Sequence, residues 1–188
     1  MTKVTVNPII EGMSGKLGEL VFKHYGDDIV VARAPNHNGH TPTSAQVAAR
    51  ERFRQGAQYG KLTLAQPASR AIYESAARAD GKPLFATVLS DYLKAPVVDE
   101  VNASQYTGQA NQTIVIAAHD DFEVIGVTVT IRDAGGQTVE GGPAVQNPPA
   151  SGRWTYTTTQ TVSNVTGAQV TATASDRPGN TGTRTVVK

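Results

Sequence analysis

The sequence predicts an α+β chain of two domains: a β-hairpin with three short helices over residues 1–95, and an antiparallel β-sandwich over residues 96–188. Three observations predict it. Val127, Val129 and Ile131 alternate with Thr128 and Thr130, the period-two pattern of a half-buried strand. Between Thr43 and Leu93 the apolar residues instead recur at helical spacing. The periodicity changes at Ala95-Pro96-Val97-Val98, where β-branched residues take over. The 18 Gly and 10 Pro among 188 residues imply a turn-rich globular chain.

In chain order, Val4 to Ile10 is the first strand candidate, followed by a Gly-rich turn over Glu11–Lys16. Pro8 removes a backbone donor, which suits an edge strand. Leu17 to Tyr25 carries Leu20 and Phe22 on one face, Gly26-Asp27-Asp28 supplies a turn, and Ile29 to Arg33 returns as the second strand of a hairpin before Pro35. Glycines 12, 15 and 18 are read as turns and not as a phosphate loop. No hydroxyl residue follows Lys16, and the next element is a strand where a helix N-terminus is needed. His37 and His40 lie in a Gly-containing loop with no evident third ligand.

Thr43 and Gln46 have the spacing of a capping box, and Ala45, Val47, Ala48, Ala49, Phe53, Ala57 and Tyr59 give an apolar side up to Gly60. A second helix starts near Pro67, suited to a first turn, and ends at Asp80-Gly81; a third starts at Pro83 and carries Leu84, Phe85, Val88, Leu89, Tyr92 and Leu93. Phe53, Tyr73, Phe85 and Tyr92 sit in these apolar runs and are read as core. Strand candidates then follow near residues 97–101, 113–117, 124–131, 138–139, 154–159, 170–174 and 183–187, a spacing typical of a sandwich.

Two stretches carry a resemblance: Ala118-His119-Asp120 running into Val124-Ile125-Gly126-Val127-Thr128-Val129, and Ala172-Thr173-Ala174-Ser175-Asp176-Arg177-Pro178-Gly179-Asn180. Together they resemble the bacterial immunoglobulin-like modules of surface and repeat proteins. The resemblance covers roughly the C-terminal half and implies an immunoglobulin-like β-sandwich there, with no catalytic residue to carry over. The N-terminal half, through Ser14-Gly15-Lys16-Leu17-Gly18-Glu19-Leu20-Val21-Phe22, Arg33, Pro42-Thr43, Gln46, Arg50 and Phe53, resembles bacterial and phage-derived proteins of unassigned activity.

Several residues are candidates for a site. Asp120, Asp121 and Asp176 fall at strand ends and could offer calcium oxygen ligands with Asp99, Glu100 or Asn180, although Asx residues there also satisfy turn backbone groups. Asp120 and Asp121 are adjacent and point to opposite faces of an extended chain, a poor arrangement for shared acid–base work. Trp154 and Tyr156 share one strand face and could stack on a sugar ring or fill a core. Arg33, Arg50, Arg52 and Arg54 could meet an acidic partner. The last three are two residues apart, about 200° around a helix, so they form no single basic stripe.

Cysteine is absent, which excludes disulfides, thiolate nucleophiles and Cys-ligated zinc. No signal peptide and no run of about 20 apolar residues is present, so cytoplasmic synthesis without membrane insertion is expected, with a virion or an extracellular assembly as the destination. Up to Ala95 there are twelve Lys and Arg against eight Asp and Glu; beyond it there are five against eight. A basic half and an acidic half can attract head to tail. The sequence therefore predicts a non-enzymatic structural protein without a cofactor, a self-assembling subunit of a filament or phage-like particle held by protein–protein contacts, as a homo-oligomer or polymer or together with other structural proteins. Val4, Val6, Ile9 and Ile10 are expected to add as a strand to a neighbour's sheet edge or, equally, to pair with the Leu17–Tyr25 strand; residues 183–187 are a second edge candidate. The alternatives are a glycan- or cell-surface-binding adhesion module resting on Trp154 and Tyr156, and a nucleic-acid-binding accessory protein resting on the arginines and Lys61.

Overall fold

The computed structural model describes residues 2–4, 12–26, 28–35 and 41–188. The chain divides into two compact units, Met1–Ser44 and Ala45–Lys188. The expected boundary at residues 95/96 falls inside the second unit, so the three helices share a unit with the strands that follow them.

The first unit is a four-stranded antiparallel sheet of β1 (Thr2–Val4), β2 (Gly15–Leu17), β3 (Leu20–Tyr25) and β4 (Asp28–Arg33), in the order β1-β4-β3-β2. The expected strand Leu17–Tyr25 is broken at Gly18-Glu19. Gly18 has a φ of 60°, which an L side chain adopts only at a cost, so the chain turns there and Leu17 faces Leu20 across a tight hairpin. Since β2 and β4 occupy both sides of β3, β1 takes the outer side of β4, with Val4 opposite Ile29. Val4 is thus paired within its own chain, on a different strand from the one expected. Val6, Ile9, Ile10, His37 and His40 lie outside the described residues. Phe22 and Ile29 are the buried apolar side chains among those described in this unit.

The second unit begins with α1 (Ser44–Ala65), α2 (Pro67–Asp80) and α3 (Leu84–Leu93). Pro67 opens α2, and Gly81, at a φ of 64°, closes it in the left-handed conformation. Gly60 does not end α1 as expected. A Cβ there would lie 3.0 Å from the Phe85 ring, and one at Gly56 would lie 2.8 Å from the Tyr92 ring, so both glycines let α3 approach α1 closely. Arg52 donates to the Leu93 carbonyl at 2.7 Å, at the C-terminal end of α3. Tyr73 is buried, and Tyr92 packs on Tyr59 with ring centroids 5.2 Å apart. Phe53, expected in the core, is exposed, because residues 44–55 of α1 are exposed on every side.

Seven strands follow: β5 (Val97–Asn102), β6 (Thr113–His119), β7 (Gly126–Arg132), β8 (Thr138–Gln146), β9 (Arg153–Thr157), β10 (Gln169–Ser175) and β11 (Thr181–Val187). Their order is β11-β10-β7-β8-β9-β6-β5. β8 changes partner along its length, pairing with β7 from Thr138 to Ala144 and with β9 at Val145 and Gln146. Residues from both parts of the sheet line one core. Val127, Val129 and Ile131 of β7 face Ala174, Ala172 and Val170 of β10 in register, and Ile114 and Ile116 of β6 face Tyr156 and Trp154 of β9; all ten belong to one buried cluster. β8 runs well beyond the strand candidate at residues 138–139. A Cβ at Gly141 would lie 3.0 Å from the Val129 carbonyl, and one at Gly142 would lie 3.4 Å from the Tyr156 ring.

The outer strands β11 and β5 come together, which makes the larger sheet nearly barrel-like. Arg184 donates to the Asp99 carbonyl and Lys188 to the Ala103 carbonyl at 2.8 Å. The edge expected to be open at residues 183–187 is therefore faced by β5 of the same chain, through side-chain donors where no ladder forms.

Candidate acidic site

Three carboxylates converge where the helices meet the seven-stranded sheet. Asp91 is on α3, Asp120 follows β6, and Asp176 follows β10; one oxygen of each lies within 4.8 Å of the others. The convergence follows from the local sequence. Asp91 is three residues after Val88 and seven after Leu84, which puts it on the inward stripe of its helix. Phe122, two residues after Asp120, stacks on Tyr73 of α2 at 4.4 Å between ring centroids and holds the β6–β7 loop against the helices. Asn180, at the end of the β10–β11 turn, donates its side-chain amide towards the carbonyls of Tyr92 at 3.2 Å and Lys94 at 3.3 Å, anchoring that turn to the end of α3.

The three carboxylates differ in how they are satisfied. Asp176 is 1% exposed and well satisfied: Oδ1 accepts from the backbone of Gly179 at 2.8 Å and Asn180 at 2.6 Å, and Oδ2 accepts from the Asn180 side chain at 2.7 Å. That is the turn role of an Asx residue. Asp91, also 1% exposed, accepts the Tyr73 hydroxyl on Oδ2 but has no partner on Oδ1. Both oxygens of Asp120 are buried and have no partner. Burial pushes the Asp91 carboxyl up to about 6, with the charges of Asp176 and Asp120 adding to the rise, while the Tyr73 bond and the Arg177 charge oppose it. The Tyr73 phenol is pushed up as well, by burial and then by its bond to Asp91.

The structure therefore brings together Asp120 and Asp176 of the expected carboxylates and replaces Asp121 with Asp91. Asp121 points the other way, to Lys94, whose ammonium holds its carboxyl below the usual range. Asp99 is drawn off to His119 at 2.7 Å on an exposed surface. Asp91 was missed because the helical run was read only for its apolar members; a lone carboxylate on that inward stripe was the available signal. Glu140, another buried carboxylate, lies on β8 just beyond the strand candidate at residues 138–139.

Trp154 and Tyr156 are 7% and 5% exposed and belong to the buried core of the seven-stranded sheet, so they offer no face to a sugar. Their inward register on β9, opposite Ile116 and Ile114, is the reason. Of the arginines, Arg54 is paired with Glu51 at 2.6 Å and Arg52 is bound to the Leu93 carbonyl, while Arg33 closes β4 and Arg50 lies on the exposed first half of α1. Among the described residues no helix is long and apolar enough to cross a membrane.

No family model and no curated protein matches the sequence. A solved structure of a tetra-tandem repeat in the extending region of a large adhesion protein is similar over 50% of this chain and 23% of its own, with 24% identity and a TM-score of 0.38. The match thus spans under a quarter of the length of that solved repeat chain.

Proposed function

We propose that this chain is a non-enzymatic structural protein, a subunit that self-assembles into a filament or phage-like particle, and that residues 97–187 form an immunoglobulin-like sandwich. The sandwich reading is supported by a three-strand layer β5-β6-β9 facing a layer β11-β10-β7-β8 across a single core. The observation that carries the assembly reading is the thin N-terminal sheet. Phe22 and Ile29 are its buried apolar side chains, whereas Leu17 is 63% and Tyr25 59% exposed, among the described residues of that unit. Among the described residues this sheet has little core, and apolar side chains left exposed on it gain by being covered. β1 and β2 are the terminal strands in its order, and an extended segment from a neighbour can extend a terminal strand.

Negative-stain microscopy of the purified protein at rising concentration tests this reading. Regular filaments or closed particles are expected, and their absence at every concentration and at low salt would refute it.

A further inference from the structure

We propose that Asp91, Asp120 and Asp176 form a calcium site that ties the C-terminal end of α3 to the β6–β7 and β10–β11 loops. This inference does not rest on the assembly reading. Three buried carboxylates within 4.8 Å repel one another unless something positive lies among them. The nearby cation, Arg177, is already bound to Glu123 at 2.7 Å. Asp91 is 1% exposed with an unpartnered oxygen, and both oxygens of Asp120 are buried and unpartnered. Buried acceptors left without donors are costly, and a cation satisfies several at once.

The donors are all oxygen, which selects a hard cation and disfavours zinc. The three ligand oxygens all lie within 4.8 Å of one another, close enough to share one ion. Calcium accepts a flexible cage of protein oxygens, whereas magnesium demands near-ideal octahedral geometry and keeps several waters, which a buried site does not favour. The site also lies at the carbonyl end of α3, where the helix dipole is negative. Asp120 also lines a cleft with His119, Glu123, Gln146 and Ser151. Asp176, already held by three N–H donors, keeps lone pairs free to ligate and fixes the position of the turn.

Terbium luminescence and calorimetry on the full chain test the assignment. After chelator treatment, calcium is expected to bind with a stoichiometry of about one and to raise the melting temperature in a saturable way. Terbium should luminesce on tyrosine excitation, because Tyr73 is bonded to Asp91, and calcium should quench that signal by displacement. Asp120→Asn should weaken binding at least tenfold, and Asp91→Asn likewise. Asp121→Asn, whose parent side chain is engaged with Lys94, should leave it unchanged. Tyr73→Phe should lower the luminescence more than the affinity. The proposal is overturned if the chelated wild-type protein shows neither heat nor luminescence at millimolar metal, if Asp120→Asn binds as the wild type does, or if magnesium binds equally well.

Discussion

At the scale of single residues, the carboxylate of Glu140 is the clearest structural anchor outside the acidic site. Its Oε2 accepts from the Thr159 backbone and hydroxyl, each at 2.7 Å, from the Gln160 backbone at 3.2 Å and from the Tyr156 hydroxyl at 3.3 Å. A buried charged acceptor with several donors leaves those donors stranded when it is weakened. Glu140→Gln is therefore expected to cost about 1–3 kcal/mol in urea unfolding without changing the dependence on urea. Tyr156, beside it, has its phenol pushed up to about 12, by burial first and then by the charge and hydrogen bond of Glu140. The folded state thus holds its proton where the unfolded phenol, at about 10, has lost it. With the folded value raised, this contribution is complete below about pH 10 and is lost as the pH rises towards 12, worth about 2–3 kcal/mol in all. Unfolding free energies measured across that interval should fall, and Tyr156→Phe should make the fall shallower.

The acidic site was only partly legible at this scale. Asp120 and Asp176 stand at strand ends, where turn chemistry makes a carboxylate visible. Asp91 is hidden in a helix, and nothing in its immediate neighbours says that a distant turn ends beside it.

At the scale of elements, periodicity made most of the fold readable. The breaks at Pro67, Gly81 and Pro83 mark helix ends because the local backbone chemistry decides them. Glycine was read less well wherever its reason lies across the structure. Gly56 and Gly60 are a contact surface for α3, and Gly141 and Gly142 are close approaches within β8. The closure of β11 on β5 was likewise invisible, because it depends on two strands about 80 residues apart meeting edge to edge. Gly182 tests that closure. A Cβ there would fall 1.8 Å from the Pro96 carbonyl oxygen, a backbone atom that cannot rotate away. Gly182→Ala is expected to destabilise the second unit by about 1–3 kcal/mol or more, because the strands must separate to admit the methyl group. Gly179→Ala, with nothing within 4 Å but a φ of 95°, separates the two costs of glycine replacement, since its penalty is backbone strain alone. Thermal unfolding of both variants is the check, and equal losses would mean that the contact with Pro96 is not tight.

At the scale of the whole molecule, the second unit has a continuous core, while the first has two buried apolar side chains among its described residues. The proposed assembly rests on this uneven distribution of buried surface among the described residues, since apolar side chains left exposed on the first unit would gain from a partner. Light scattering coupled to size-exclusion chromatography, run at rising protein concentration, tests this most directly. Self-assembly predicts a mass that grows beyond the 19.8 kDa of one chain and returns to a single chain in the double variant Leu17→Lys, Leu20→Lys, whose side chains lie on the exposed hairpin. A monodisperse species of 19.8 kDa at every concentration and at low salt would contradict it.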